Sequence, residues 1–287
     1  FTDVGANDAK AKTAIPTDGY VLAVHKDYGS KITAIKNAAK DIQFYPHGIR
    51  ITDKLDTTIK KASTAPKIDG NVSKGEYGTA LWKYEPKNTL VNYEQFEKNN
   101  YYATAEVYAV YDDKNLYLGV IVDSPYFNNT LTQDGATGMY KFDCIQVNVS
   151  AADPSGDYMF KYFEYTDATS SAQTTKDNAV RQYGFGVNDK GESLSTLWIP
   201  SEPKFGGETS CKRDESSKKT YYEARIPWSE VGSKDQPVNV KKGEKFGFSV
   251  SINCGDGSDN IKAVFLRDGG GIIGINDWTK VPVLTFG

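Results

Sequence analysis

At 287 residues the chain is long enough to bury a sizeable core and to carry more than one substructure. Its 34 basic and 37 acidic residues nearly cancel, and a formal charge of -3 argues against a polyanion-binding surface and so against nucleic acid as a partner. No run approaches the ~20 apolar residues of a membrane-crossing helix, so no membrane insertion is expected.

Tyrosine is the outlier, with 19 residues against 13 Phe and 4 Trp, which favours β-structure and binding surfaces together. The three cysteines, Cys144, Cys211 and Cys254, lack metal-ligand spacing and allow at most one disulfide. They permit secretion without arguing for it. The chain opens on Phe1 with no signal-like segment, as expected of a processed protein or an excised piece.

Residues 1–60 read as a small α/β segment, either docked on the remainder or left over from a neighbouring domain. Tyr20–His25 reads as a buried strand after a Pro16–Gly19 turn, and Gly48–Thr52 as a short one. Between them, Ile32, Ile35, Ala38, Ala39 and Ile42 follow helical spacing, predicting a helix over Lys31–Ile42. The phrase AIPTDGYVLAVH resembles the closing segment of a larger secreted domain.

From Ala65 onward, short Val/Ile/Tyr runs alternate with turn signals. Strands are predicted near 104–111, 116–123, 142–150, 158–165, 180–187, 194–199, 220–226, 246–254, 261–266 and 282–286. Turns fall at Asp69–Gly70, Asp112–Asn115, Asn188–Gly191 and Lys241–Gly243. About ten strands with irregular loops predict a mostly β fold, a two-sheet antiparallel β-sandwich of jelly-roll type. The connections 123–139 and 201–219 are long enough for binding loops, although the charged KFGGETSCKRDESSKK reads as mobile surface. Trp82 is expected in the core and Trp228 as a plug at one end, after Pro227 closes its strand. Trp198 and Trp278 remain without a structural role.

The stretch YKFDCIQVNVS, Tyr140–Ser150, organises the rest. Ile145, Val147 and Val149 point one way; Cys144, Gln146 and Asn148 point the other. The second face is either washed by solvent or lines a site. Amides carry both donors and acceptors, so beside Tyr140 they suit a neutral ligand with many hydroxyls better than a charged one. In the strand containing FSVSINC, Phe248, Val250, Ile252 and Cys254 belong to the core, which places Ser251 and Asn253 together on the opposite face.

Five segments occur in a fixed order: APKIDGNVSKGEYGTALW, YAVYDDKNLYLGVIVDS, YKFDCIQVNVS, YYEARIPWSEVG and KKGEKFGFSVSINCGDG. In these the chain resembles the family 9 carbohydrate-binding modules and their DOMON-like relatives, over residues 65–287. The resemblance implies a β-sandwich that holds a sugar chain, often by its terminus, and contains structural calcium. It implies Tyr140 as half of an aromatic clamp and Gln146 as a polar contact where relatives tend to carry a carboxylate. It also implies Lys161 as the basic residue of the next strand, and Ser251 and Asn253 as two further polar contacts. The second clamp aromatic departs from the pattern. A gapless match puts Ile275 there, with Trp278 three residues later; Trp278 or Trp198 stands open as the second platform, and Tyr126 and Phe127 as further neighbours of a lone one.

Two platforms and three or four hydrogen bonds would supply about 4–7 kcal/mol, roughly millimolar to tens of micromolar affinity. Useful attachment would then depend on linked modules. Calcium wants clustered oxygens, which Asp153–Asp157 (DPSGD) and Asp256–Asn260 (DGSDN) offer without EF-hand spacing; Asx turns explain both loops equally well. The only histidines, His25 and His47, fall outside the sandwich, and no nucleophile elbow, metalloprotease helix or phosphate loop appears. Met139 and Met159 without a histidine speak against a haem-holding relative.

The sequence therefore predicts a non-catalytic module that binds a polysaccharide or oligosaccharide, a glucan by preference and an α-glucan such as starch or maltooligosaccharides at the finest level. Its partners would be that glycan and other domains of the same polypeptide, within a secreted or cell-surface bacterial protein. The rivals are a structural or adhesive sandwich that binds a protein, and an accessory domain of a glycoside hydrolase.

Overall fold

The computed structural model describes residues 42–45, 48–51, 57–85, 89–90, 103–151, 180–199, 204–232, 237–257, 264–265 and 281–287. Its strands run β1 (Ile42–Tyr45), β2 (Gly48–Ile51), β3 (Thr57–Lys61), β4 (Trp82–Tyr84), β5 (Thr89–Leu90), β6 (Thr104–Tyr111), β7 (Asn115–Asp123) and β8 (Phe142–Ser150). They continue as β9 (Val180–Val187), β10 (Ser193–Ile199), β11 (Glu208–Asp214), β12 (Lys219–Pro227), β13 (Lys245–Asp256), β14 (Val264–Phe265) and β15 (Val283–Phe286). Two one-turn helices, α1 (Lys74–Tyr77) and α2 (Trp228–Val231), and a 3-10 helix, Gln133–Lys141, complete the described elements.

Leu116, Leu118, Val120 and Val122 sit on every second position of β7, and all are buried. Ile145, Val147 and Val149 do the same on β8, and Phe248, Val250, Ile252 and Cys254 on β13. These rows face one another across a single core. The ladder runs β10–β9–β8–β13–β15–β3–β6–β7–β12–β11, with β4 also on β6. One strand joins the two layers. β3 pairs in parallel with β15 through Thr57–Ile59 and with β6 through Lys60 and Lys61. The sandwich sheet thus begins at Thr57, ahead of Ala65.

On the other side the ladder ends come close at Ser193 and Cys211. The Ser193 hydroxyl accepts the Cys211 backbone N–H at 2.8 Å and donates to the Cys211 carbonyl at 3.3 Å. The large sheet therefore curls almost into a barrel.

The expected plugs are in place. Trp82 stacks on Phe248 with centroids 5.5 Å apart, and Trp228 meets both Phe246 and Phe286 edge-on at 5.4 Å. The Trp228 indole N–H donates to the Asp112 carbonyl at 3.0 Å, so the β6–β7 turn and the end of β12 are fastened together. Gly70, at φ 78, allows the first turn to fold its backbone N–H groups onto a carboxylate. Glu223, fully buried on β12, accepts the N–H groups of Asp69, Gly70 and Asn71 at 2.7–3.0 Å and the Tyr77 hydroxyl at 3.1 Å.

One expectation is overturned. The connection 201–219 does not read through as mobile surface, because Glu208–Asp214 forms β11 and pairs with β12 along its length. Only one of its side chains, Cys211, is fully buried, as an edge strand of a polar sheet requires. The charged residues of this stretch instead build its hairpin. Asp214 accepts the Ser216 and Ser217 hydroxyls, each at 2.7 Å, and Lys218 turns the corner at φ 57.

In the N-terminal segment β1 and β2 form an antiparallel pair, so Gly48–Ile51 is the short strand expected there. The predicted helix residues 31–41 and the strand Tyr20–His25 lie outside the described residues, and Ile42 opens β1.

Candidate functional site

The outer face of β9, β8 and β13 carries short rows of neutral polar groups. Thr196, Gly184, Gln146 and Ser251 stand in register across β10, β9, β8 and β13. Cys144 faces Asn253 in the row on one side, and Gln182, Asn148 and Ser249 line up in the row on the other. Strict alternation puts them all on this face, since their odd-numbered or even-numbered neighbours fill the core.

This face is not washed by solvent. Gln146 and Gln182 are 5 % exposed, Asn253 1 %, and Asn148, Ser249 and Ser251 are all fully buried. Buried amides are costly unless hydrogen-bonded, and Asn253 and Gln146 bind each other. Asn253 Nδ2 donates to Gln146 Oε1 at 3.1 Å and to the Tyr140 carbonyl oxygen at 3.1 Å. The Ser251 hydroxyl reaches Asn253 Oδ1 at 3.5 Å. The three polar residues and the aromatic singled out in the sequence are thus one connected unit. The amides form its floor, and Tyr140 is the member that reaches the surface.

Tyr140 stands on the last turn of the 3-10 helix, where its ring is half-buried. That helix is tied to edge strand β10 by side chains. The Gln133 amide behaves as a one-residue strand, donating to the Ser195 carbonyl at 2.7 Å and accepting the Ser195 N–H at 3.1 Å. From β10, the Trp198 indole N–H donates to the Thr137 carbonyl at 2.8 Å. Beneath the helix, Met139 is fully buried and sits over Gly186, where a side chain would collide with its sulfur.

Trp198, which the sequence leaves open beside Trp278 as a second platform, lies next to Tyr140. The β10–β9 register shifts between Leu197 and Ile199, and Trp198 is the extra residue at that bulge. Its ring lies over Gly184; a methyl group there would fall 2.7 Å from Trp198 Cζ3 and 2.9 Å from Thr196 Cγ2. The Tyr140 and Trp198 rings meet edge to face, with centroids 6.4 Å apart and planes inclined by 72°. Lys141 Nζ stands 5.6 Å from the Tyr140 centroid, within cation–π range. The signal that marks this arrangement is the run YGFGV in β9. Its glycines alternate with core aromatics and leave a bare strip on the outer face.

A buried carboxyl supports the loop that leads into the 3-10 helix. Asp143 accepts the Asn128 backbone N–H, its own N–H donates to the Asn128 carbonyl at 3.0 Å, and Asn129 Nδ2 donates to its carbonyl at 3.1 Å. Burial pushes the Asp143 carboxyl up to about 8, against the opposing pull of the Asn128 N–H and Arg213. Arg213 is anchored by the Ser124 carbonyl at 3.1 Å and lies over the Phe127 ring at 5.3 Å.

Two expected site residues, Lys161 and Trp278, lie outside the described residues, as do Asp153–Asp157 and most of Asp256–Asn260. Among the described residues, no group of three His, Cys, Asp or Glu side chains is placed to hold a metal. Cys144, Cys211 and Cys254 are buried and unpaired by disulfide.

No family model matches the chain, and no curated protein sequence does. Its fold is similar to a family 9 carbohydrate-binding module from Caldicellulosiruptor kristjanssonii in complex with cellotriose. That likeness has a TM-score of 0.50 and 17 % identity, covering 80 % of this chain and 92 % of the other. A family 9 module from the same organism in complex with glucose is also similar, with a TM-score of 0.44, 16 % identity, and 80 % and 96 % covered. The chain is thus folded as a β-sandwich like that of the family 9 carbohydrate-binding modules.

Proposed function

We propose that this chain is a non-catalytic carbohydrate-binding module, one part of a larger secreted or cell-surface protein, that holds a glucan chain at Tyr140. The observation that carries this reading is the bond from Asn253 to the Tyr140 carbonyl. A half-buried tyrosine is held through its backbone carbonyl by a buried, uncharged amide network, and its ring is flanked by a second ring. Stacking on an aromatic face suits the apolar face of a pyranose, and neutral donors and acceptors suit its hydroxyls.

In this reading Tyr140 stacks on the sugar. Gln146, the most exposed of the polar trio with Ser251 and Asn253, presents the floor of the site, and Lys161 and Trp278 are the further contacts assigned to the sugar. The finer reading is an α-glucan such as starch or maltooligosaccharides, taken near a chain end. One structural calcium, held by Asp153–Asp157 or Asp256–Asn260, belongs to the same reading; a chelator that lowers the melting temperature, restored by Ca2+, would support it, and an unchanged melt would remove it.

Affinity electrophoresis in gels containing starch, xylan, β-glucan or mannan tests the function. Retardation by one glycan, lost in Tyr140→Ala, is the expected result. Free migration in every gel would favour a sandwich that binds a protein, and release of reducing sugar would make the chain an enzyme.

A further inference from the structure

Resting on the carbohydrate reading above, we infer that Trp198 is a second sugar-binding surface. Set at a steep angle to Tyr140, it makes the site a corner that selects a glucan whose consecutive rings turn. Three observations carry this. First, the two rings are 6.4 Å apart and inclined by 72°, so no pyranose can be sandwiched between them, and both residues are only partly buried. Second, Trp198 is held in one pose. Its N–H is committed to the Thr137 carbonyl at 2.8 Å, and its ring rests on the bare backbone of Gly184, which leaves it half-buried and rigid. Third, Gly184 is the register partner of Gln146, so the indole adjoins the polar row that the amide network completes.

A flat β-1,4-linked ribbon keeps successive ring planes nearly parallel and can stack on only one wall of such a corner. An α-1,4-linked chain rotates from unit to unit, so neighbouring sugars can meet both walls. Pre-organised aromatic surfaces give affinity without an ordering penalty on binding.

The test uses the full 287-residue chain with maltoheptaose and cellohexaose as probes, read by isothermal titration and by tryptophan fluorescence. We expect maltoheptaose to bind more tightly than cellohexaose. Trp198→Ala should weaken maltoheptaose on the order of tenfold, the scale of one lost aromatic contact, while weakening cellohexaose much less. Gly184→Ala keeps the indole but removes its seat, and should reproduce the maltoheptaose loss with an unaltered far-UV spectrum. It guards against a Trp198→Ala chain that does not fold. Sugar binding that Tyr140→Ala abolishes but both Trp198→Ala and Gly184→Ala leave intact would overturn the corner and spare the module. Tighter binding of cellohexaose by the unmodified chain would overturn the selectivity. Binding of neither probe nor any other glycan would overturn both readings.

Discussion

Asn253, on β13, donates through Nδ2 to the backbone carbonyl of Tyr140, 113 positions earlier in the chain, at 3.1 Å. The same nitrogen donates to Gln146 Oε1 on β8, so one buried amide locks two strands and the end of the 3-10 helix together. Tyr140 is thereby placed by the sheet, not by its loop.

Asn253→Leu removes that donor and leaves two buried acceptors without it. Each orphaned acceptor costs about 1–3 kcal/mol, so we expect a loss of about 2–6 kcal/mol in urea unfolding. Glycan binding should weaken in parallel, because Tyr140 loses its anchor. Asn253→Asp replaces the donor by an acceptor facing two oxygens and should be worse than leucine for stability near neutral pH.

Glu223 gathers three backbone N–H groups and the Tyr77 hydroxyl around one buried carboxylate. Burial raises its pKa above the ordinary glutamate value, and the donors oppose that shift. Glu223→Ala orphans all four donors, and we expect a loss of more than about 3 kcal/mol or failure to fold. Glu223→Gln keeps an oxygen for the N–H groups and should lose less. Chemical denaturation of both variants measures the difference.

Asp143 gives a pH signature. Its folded-state value, raised to about 8 from an ordinary 3.8, means the folded chain binds the proton more tightly than the unfolded one. Its contribution is therefore most favourable below about pH 4 and is lost as pH rises towards 8. Asp143→Asn keeps an oxygen for the Asn128 N–H and carries no charge at any pH. We expect the melting temperature of Asp143→Asn minus that of the unmodified chain to rise from pH 5 to pH 8 and then level off. A flat difference would contradict the assignment.

The strand framework was legible because alternation survives in the letters. Phe142–Ser150 and Val180–Val187 were bounded to the residue, and the core parity of β8 and β13 follows directly from their apolar positions. Strand β11 is not legible, since ETSCKRD buries only one side chain, Cys211, and its hairpin is made of the charged residues that mark a loop. Nor is the burial of the amide face. Gln146, Asn148 and Ser251 have the same alternation whether water or protein covers them. The choice of Trp198 over the other aromatics is not legible for a third reason. A bulge shifts its register, and the Gly184 seat that fixes it belongs to another strand.

Isothermal titration of the unmodified chain and Tyr140→Ala against glucan oligosaccharides, with melting curves as a control for folding, tests the central assignment most directly. Saturable heat is expected in the millimolar to tens-of-micromolar range, roughly as for two ring contacts and a few hydrogen bonds, together with its disappearance in Tyr140→Ala at an unchanged melting temperature. Saturable glucan binding that survives intact in Tyr140→Ala, or no heat with any glucan, would contradict it.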